Sequence, residues 1–404
     1  MKKNILTLLS LSLAFAVTSC TVEIREDSDA GTPTPNPTTG AVLSGTGTLA
    51  GTLKQNTVVK KGNYTLEGVV KVPEGISLTI EPGATFTAKT SVGSSLVVLQ
   101  GGKIYAEGTA TEPIVFTSDN KKPGDWGGLT VYGNAPIKAI NGANKALSED
   151  GNNVYYGGDN PNDNSGSLKF VRVEFGGKKI GDGTSETNSM TFYAVGAGTT
   201  LENLVSYMGT DDGYEFFGGT VSAKNLVAYG NYDDSFDWQD AWSGQFNSNW
   251  YAYQTGIGNF GMEIESSGNA DNTAPKVNGL TLIRAAGTKP EVAGSIEVSA
   301  IQFKKHGSGI FSNVYIDGYK DTDGKKSWAV LIQDAATEAE QVNKGKIKVT
   351  PVNHVNSDNL NTWGYAYTPN SAFTFTSDAT VKKVSMTPGA WATVNGVDLL
   401  SALK

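Results

Sequence analysis

The chain has 404 residues, with 40 Asp and Glu against 32 Lys and Arg and a formal net charge of −8. An acidic surface repels phosphate backbones, which sets nucleic acid aside as a partner. One cysteine and two histidines exclude an intramolecular disulfide framework and a zinc centre built on His or Cys clusters.

Lys2 and Lys3 precede an apolar run from Ile5 to Val17 that ends in Val17-Thr18-Ser19-Cys20. The run is too short to span a bilayer, and the basic-apolar-small order is that of a removable export segment, predicted over residues 1–19. Without Lys2 and Lys3 the 32 basic residues become 30, and the net charge becomes −10. Small residues before a cysteine resemble the site cut by a bacterial lipoprotein signal peptidase, so Cys20 is the expected lipid attachment point. The lipid would hold the protein to the membrane without threading it through. Glu23, Glu26, Asp27 and Asp29 follow. That acidic stretch resembles the surface-export signal of lipoproteins in the Bacteroidota, which implies the outer face of the outer membrane. Residues 28–44 are rich in Ser, Thr, Pro and Gly and cannot bury a core. Residues 20–44 are therefore expected to be a lipidated linker, and residues 45–404 the folded body.

The body opens with short strand signals. Val69 to Val72, Ile76 to Ile80, Ala84 to Ala88, Leu96 to Leu99, Lys103 to Ala106 and Ile114 to Phe116 are β-branched or aromatic, and Gly, Pro or Asn closes them. Helical periodicity is nearly absent, and its best candidate is a short segment near Asp334 to Val342. Residues 133–167 are polar and turn-rich, an excursion too long to be a simple connection. Residues 320–346 form a second insertion, and the stretch from about 347 is expected to cap the fold.

A repeat then appears. GTDDGYEFFGGT (209–220) returns as NYDDSFDWQD (231–240) without a gap, placing Asp211 on Asp233, Asp212 on Asp234 and Glu215 on Asp237. Leu201-Glu202-Asn203-Leu204-Val205 returns as Ala223-Lys224-Asn225-Leu226-Val227, with the same 22-residue shift. Val277-Asn278-Gly279-Leu280 and Phe311-Ser312-Asn313-Val314-Tyr315 read as later rungs, and stacked asparagines predict a ladder of amide hydrogen bonds. A period near 22 with short strands predicts an all-β, right-handed parallel β-helix with three short strands per coil. A propeller needs blades of about 40 to 50 residues, which the sequence lacks.

In such a coil, residues one period apart stack at about 4.8 Å. Three stacked carboxylate pairs repel one another unless something neutralises them. Three readings stay open. Calcium could bind Asp211, Asp212, Glu215, Asp233, Asp234 and Asp237, with Glu263 and its neighbour Glu265 on a third rung. The acids could be catalytic, with Asp212, Asp234 and Asp237 dividing the acid and base or nucleophile roles. Or they could be structural, bonding backbone amides and splaying into water.

Residues 207–253 hold 13 of the chain's 38 Trp, Tyr and Phe residues, more than a narrow coil is expected to bury. Some are expected outside, where flat rings suit sugars or another protein. Trp238 and Trp242, with Tyr232, are the expected ligand-binding rings.

The segments IEPGATF, PIVFTS, GDWGGLTVYGNAPI, DNSGSLKFVRVEFGG, DDGYEFFGGT, NYDDSFDWQDAWSG and HGSGIFSNVYIDG resemble a family of bacterial secreted β-helix lipoproteins of the Bacteroidota, on a pectin-lyase-like scaffold. The likeness runs from about residue 65 to the end and implies fold and location, with no site residues. Polygalacturonases of this fold pair aspartates on adjacent coils with a His-Gly and an Arg-x-Lys. His306-Gly307 is present here, but no Arg-x-Lys follows. Polysaccharide lyases of the fold often use calcium with a Lys or Arg base. Lys304, Lys305 and Arg284 are conceivable bases, although lysines beside glycine turns are expected to be solvated, and fold alone transfers no activity. His354 is expected on the surface.

Three functions compete. The leading one is a surface-anchored, non-enzymatic lipoprotein that binds a glycan or a surface protein through an acidic-aromatic face, stabilised by calcium. The second is a calcium-assisted polysaccharide lyase or glycoside hydrolase at the same face. The third is an accessory lipoprotein of an outer-membrane complex.

Overall fold

Strand signals only a few residues long, closed by Gly, Pro or Asn, cannot cross a wide sheet, but each can supply one side of a coil. The computed structural model describes residues 40–180, 185–370 and 372–404. The expected signal segment, Cys20, its acidic neighbours and most of the linker lie outside the described residues. Parallel pairing assembles 23 strands into one continuous stack, a parallel β-helix. The first full coil shows the plan. Thr57–Val72 pairs in turn with Ser77–Ile80, Ala84–Ala88 and Ser95–Val98, so one strand supplies all three sides. We call these sides sheets 1, 2 and 3.

Coil length varies while strand register does not. The step along sheet 3 is 22 residues from Tyr214 to Phe236, 24 from Met190 to Tyr214 and 61 from Leu129 to Met190. The 61-residue step contains the 133–167 insertion. The second insertion carries Ala335–Thr337 and Glu338–Val342, which together form a short helical segment, and Asp334 caps it by accepting from the Thr337 N–H.

The corner between sheets 1 and 2 is a single left-handed residue on successive coils: Asn203, Asn225, Asn249, Gly279 and Asn313, with φ of 56°, 57°, 56°, 81° and 56°. Asparagine tolerates this conformation better than other chiral residues, and its amide links the coils. Asn225 Nδ2 donates to Asn203 Oδ1 at 2.8 Å, and Asn249 Nδ2 donates to Asn225 Oδ1 at 3.1 Å. Where Gly279 takes the corner, the preceding Asn278 accepts from Asn313 Nδ2 at 2.7 Å. The expected asparagine ladder is present, shifted by one residue at that coil.

Inside the coil runs a spine of stacked rings. Phe192 lies 5.1 Å from Phe216, Tyr214 5.5 Å from Phe236, Phe216 4.6 Å from Trp242 and Phe236 4.9 Å from Trp250. Trp238 and Trp242, expected outside, are each only 1% exposed. The physical reason is twofold. Rings on successive coils cover one another's faces, so each adds little width. The indole N–H groups also find acceptors within the fold: Trp242 donates to the Val221 carbonyl and Trp250 to that of Ala223, both at 3.0 Å. Of the 13 aromatics in residues 207–253, Phe246 alone is fully exposed, at 86%.

The expected C-terminal cap is present but begins one coil later than residue 347. Ile347–Val349 and Val352–Val355 add another coil. Trp363, Tyr365, Tyr367, Phe373 and Phe375 then pack against the end of the core. From about residue 381 the chain turns back along the outside of sheet 2. There Trp391, Val394, Leu399 and Leu400 cover Val205, Val227, Tyr251 and Ile283. The Trp391 N–H reaches the Ala110 carbonyl at 3.3 Å, and the Arg172 guanidinium donates to the carbonyls of Ala390 and Trp391. His354 is not on the surface either. It is 2% exposed beside Phe375, and its register partner is the buried Ile316.

Candidate functional site

The outer surface of sheet 3 carries two columns of side chains. One reads Thr130, Thr191, Glu215, Asp237, Glu263, Gln302 on successive coils. Three carboxylates thus stand in register between neutral polar residues. The other begins Tyr132, Tyr193, Phe217, Gln239. Its aromatic part is covered by Ile137, Ala139 and Tyr156 of the first insertion. Where the rings give way to Gln239, the insertion no longer lies flat on the sheet, and a cleft of about 800 Å³ opens between them.

The insertion is held in place at several points. Asn269 Nδ2 donates to the carbonyls of Lys138 and Ala139, both at 2.9 Å. Lys138 pairs with Asp271 at 2.8 Å, and the Tyr156 hydroxyl donates to Asp240. The excursion that looked too long for a connection is therefore a wall of the cleft.

Ten carboxylates line this cleft against three lysines: Glu149, Asp211, Asp212, Glu215, Asp233, Asp234, Asp237, Asp240, Glu263 and Glu265 face Lys145, Lys304 and Lys305. The structure brings together all seven residues expected to hold a cation. Their oxygens form three groups, each within 4.8 Å: Asp211, Asp212 and Asp233; Asp212, Glu215 and Asp237; Asp234, Asp237 and Glu263. Two charges at that separation repel by about 3.5 kcal/mol at an effective dielectric constant near 20. A triad of full charges is therefore tenable only with protons or cations present.

The partners of these oxygens differ. In the turn before sheet 3 the acids tie one coil to the next. The Asp212 N–H donates to Asn188 Oδ1 at 3.2 Å, the Asp234 N–H to Asp212 Oδ1 at 2.9 Å, and the Phe260 N–H to Asp234 Oδ1 at 2.6 Å. Gly213 permits this approach, since a Cβ there would lie 2.6 Å from the Ser235 carbonyl oxygen. The structural reading is thus right about one oxygen of Asp212 and of Asp234. It is wrong that these carboxylates splay into water, because both residues are buried. Asp233 accepts from Asn259. Glu215 accepts from Asn188 Nδ2 at 2.5 Å and Gln239 Nε2 at 2.9 Å. Asp237 is buried like its neighbours, at 7% exposure, but its Oδ1 has no hydrogen-bond partner among the described residues.

The electrostatics follow from this crowding. Burial, and then the charges of their neighbours, push Asp212, Glu215, Asp234 and Asp237 well above the usual carboxylate range. Asp233, partly buried beside Glu263, is pushed up to about 7. Lys304 lies 2.5 Å from Glu263 and 3.7 Å from Glu265, and Lys305 lies 2.7 Å from Glu265. Burial pulls Lys304 down, but Glu263, Asp237 and Glu265 outweigh it and keep the ammonium charged. Lys304 is therefore an ion-paired wall of the cleft, not the solvated lysine that its glycine-turn neighbourhood suggested.

Other expected residues lie elsewhere. Tyr232 is half-buried and does not line the cleft, while Trp238 and Trp242 belong to the spine. The aromatics of the cleft wall are Tyr156 and Phe217, both buried, so what the face exposes is mainly acidic. His306 turns away to the Gly268 carbonyl, at 2.8 Å. Arg284 points into the fold, donating to Gln254 Oε1 at 3.0 Å and the Asn259 carbonyl at 2.8 Å. Asp240 escaped the reading because the residue 22 positions earlier is Gly218, so the repeat does not display it. Glu149 escaped because it comes from the insertion.

The parallel coil itself has relatives. Residues 51–394 match the family described as pectate-lyase like beta helix domain. The chain belongs to this family. Among solved structures, the Dettilon tailspike protein (gp208) is similar at 10% identity and a TM-score of 0.28, over 78% of this chain and 62% of the tailspike. The chain thus spans less than two thirds of the tailspike's length. No curated protein matches it. Among the described residues no helix is long and apolar enough to cross a membrane.

Proposed function

We propose that this pectate-lyase-like β-helix is a carbohydrate-binding protein, held at the outer membrane by a lipid on Cys20, that takes its ligand in the acidic cleft of sheet 3 with the help of calcium. The observation that carries this reading is the excess of ten carboxylates over three lysines around one cleft, together with the unpartnered, buried Oδ1 of Asp237. Calcium takes about six to eight oxygen ligands from carboxylates, carbonyls and water, and this wall offers such donors. Asp211, Asp212, Glu215, Asp233, Asp234, Asp237 and Glu263 would hold it. When bound, the ion would supply the positive charge on which an acidic sugar or vicinal hydroxyls can sit. The family's description speaks of pectate lyase, which makes an acidic polysaccharide the first ligand to try. With so few aromatic side chains in the wall, the protein would grip its ligand by charge and hydrogen bonds, without stacking.

One observation favours an enzyme at the same place. A charged Lys304 beside carboxyls that tend to hold protons offers both signs of charge within one cleft. Asp212 and Asp234 each commit an oxygen to the coil below, so Asp237 is the better candidate for chemistry.

The test is retention of the purified protein on acidic and neutral polysaccharides with and without calcium, followed by assay for new reducing ends and unsaturated products. Calcium-dependent retention without products supports the binder. Products that vanish in Asp237→Asn make it an enzyme. No retention and no products overturn both, and co-purification with an outer-membrane complex would then support the accessory role.

A further inference from the structure

The three carboxylate groups are not equivalent, and the difference lies in Lys304. In the group of Asp234, Asp237 and Glu263, an ammonium is already present: Lys304 Nζ is 2.5 Å from Glu263 Oε2, and its side chain is only 19% exposed. Lys305, more than three times as exposed, pairs with Glu265 at 2.7 Å, whereas Lys304 comes only within 3.7 Å of Glu265 and makes its short contact with Glu263. In the group of Asp212, Glu215 and Asp237, no lysine or arginine among the described residues forms an ion pair. Its donors are neutral amides: Asn188 and Gln239 on Glu215, and the Asp234 N–H on Asp212. Amide donors orient carboxylates without cancelling their charge. Asp237 belongs to both groups, and its Oδ1 is the unpartnered oxygen. The third group, Asp211, Asp212 and Asp233, has two half-buried members, and Asp233 already accepts from Asn259.

We infer that the cleft takes one divalent cation, on Asp212, Glu215 and Asp237, and that Lys304 is a tethered cation holding the adjacent position on Asp234, Asp237 and Glu263. This rests on the calcium reading of the cleft. It adds a number and a determinant: one ion per chain, with the count set by Lys304. Replacing the ammonium by a neutral side chain would uncover a second group of three acids on the neighbouring coil, bridged to the first by Asp237.

Equilibrium dialysis of the full chain against calcium alone gives the count. The wild type is expected to hold one calcium, Lys304→Met two, and Lys304→Arg one, because arginine keeps the charge. Asp237→Asn is expected to lower affinity at least 100-fold. If Lys304→Met folds poorly without calcium, refolding it in calcium before dialysis gives the same count. One calcium in both the wild type and Lys304→Met would overturn the role of Lys304 and leave the calcium reading standing. Two in the wild type would also overturn that role. None in any chain would overturn the inference and the calcium reading together.

Discussion

Asp237 and Glu263 stand in register on neighbouring coils of sheet 3, yet Lys304 bonds Glu263 while the Oδ1 of Asp237 has no partner. A buried acceptor in this state normally meets a proton, an ion or a water. Calcium is therefore expected to raise the melting temperature of the wild type. An ion that binds only the folded chain adds about 2.7 kcal/mol at 100 times its dissociation constant. Asp237→Asn should melt at the same temperature with calcium or with chelator. A wild type indifferent to chelation in a thermal melt would remove the ion from this site.

The same crowding predicts a pH dependence. Asp212, Glu215, Asp234 and Asp237 are raised by burial and by one another, and Asp233 is raised to about 7. In the metal-free fold they hold protons that the unfolded chain releases near pH 4. Their contribution is whole below that value and is lost as pH rises through the folded values. The calcium-free protein is expected to melt lower at pH 8 than at pH 6, and saturating calcium should remove most of that difference. Melting curves at the two pH values, with and without the ion, check it.

His354 works in the opposite sense. Burial, and then the Lys320 charge, pull its imidazole down to about 4, and neither ring nitrogen has a hydrogen-bond partner among the described residues. The neutral ring's contribution is whole above about pH 6.5 and is lost as pH falls toward 4, a span worth about 3 kcal/mol. His354→Leu should flatten this acid limb and be at least as stable at pH 7. A variant whose acid limb matches the wild type would place the loss elsewhere.

Trp242→Ala is expected to cost about 3 to 5 kcal/mol of folding stability, because it empties the ring spine. Phe246→Ala, at an exposed ring, should cost less than about 0.5 kcal/mol. Denaturant melts of both separate a core role from a surface one.

At the corner of sheets 1 and 2, Asn225→Ala should cost about 2 to 3 kcal/mol, combining a left-handed backbone with lost ladder bonds. Asn225→Gly keeps the backbone at ease and should cost clearly less. Equal losses in the two variants would show that φ contributes nothing there.

These contrasts mark where sequence reading works and where it stops. The coil was legible because identical residue types recur at one interval, and the structure places Glu215 on Asp237 and ties Asp212 to the Asp234 N–H as that interval requires. The first insertion was legible as an excursion, but its resting place was not. Tyr156 finds the rings of Tyr193 and Phe217, 37 and 61 positions away, with no period to announce them. Trp238 and Trp242 misled because hydrophobicity and hydrogen-bonding capacity are read per residue, whereas the burial of Trp242 depends on the Val221 carbonyl reaching its indole and that of Trp238 on the rings of Trp242 and Phe311. Lys304 misled because its two acids sit on the preceding coil, 39 and 41 residues upstream.

The returning C-terminal segment changes how the whole stack should come apart. Repeat proteins whose units touch only their neighbours can fray from either end, and their stability is then a sum of local terms. Here the segment that leaves the last coil lies across Ile283, Tyr251, Val227 and Val205 and reaches Ala110 through Trp391, so it fastens the far end of the solenoid to its first third. Loss of the end coils would peel this fastening from the middle ones. Unfolding should therefore be far more all-or-none than in an open solenoid, and the coils that carry the acids would share the cooperativity of the entire chain.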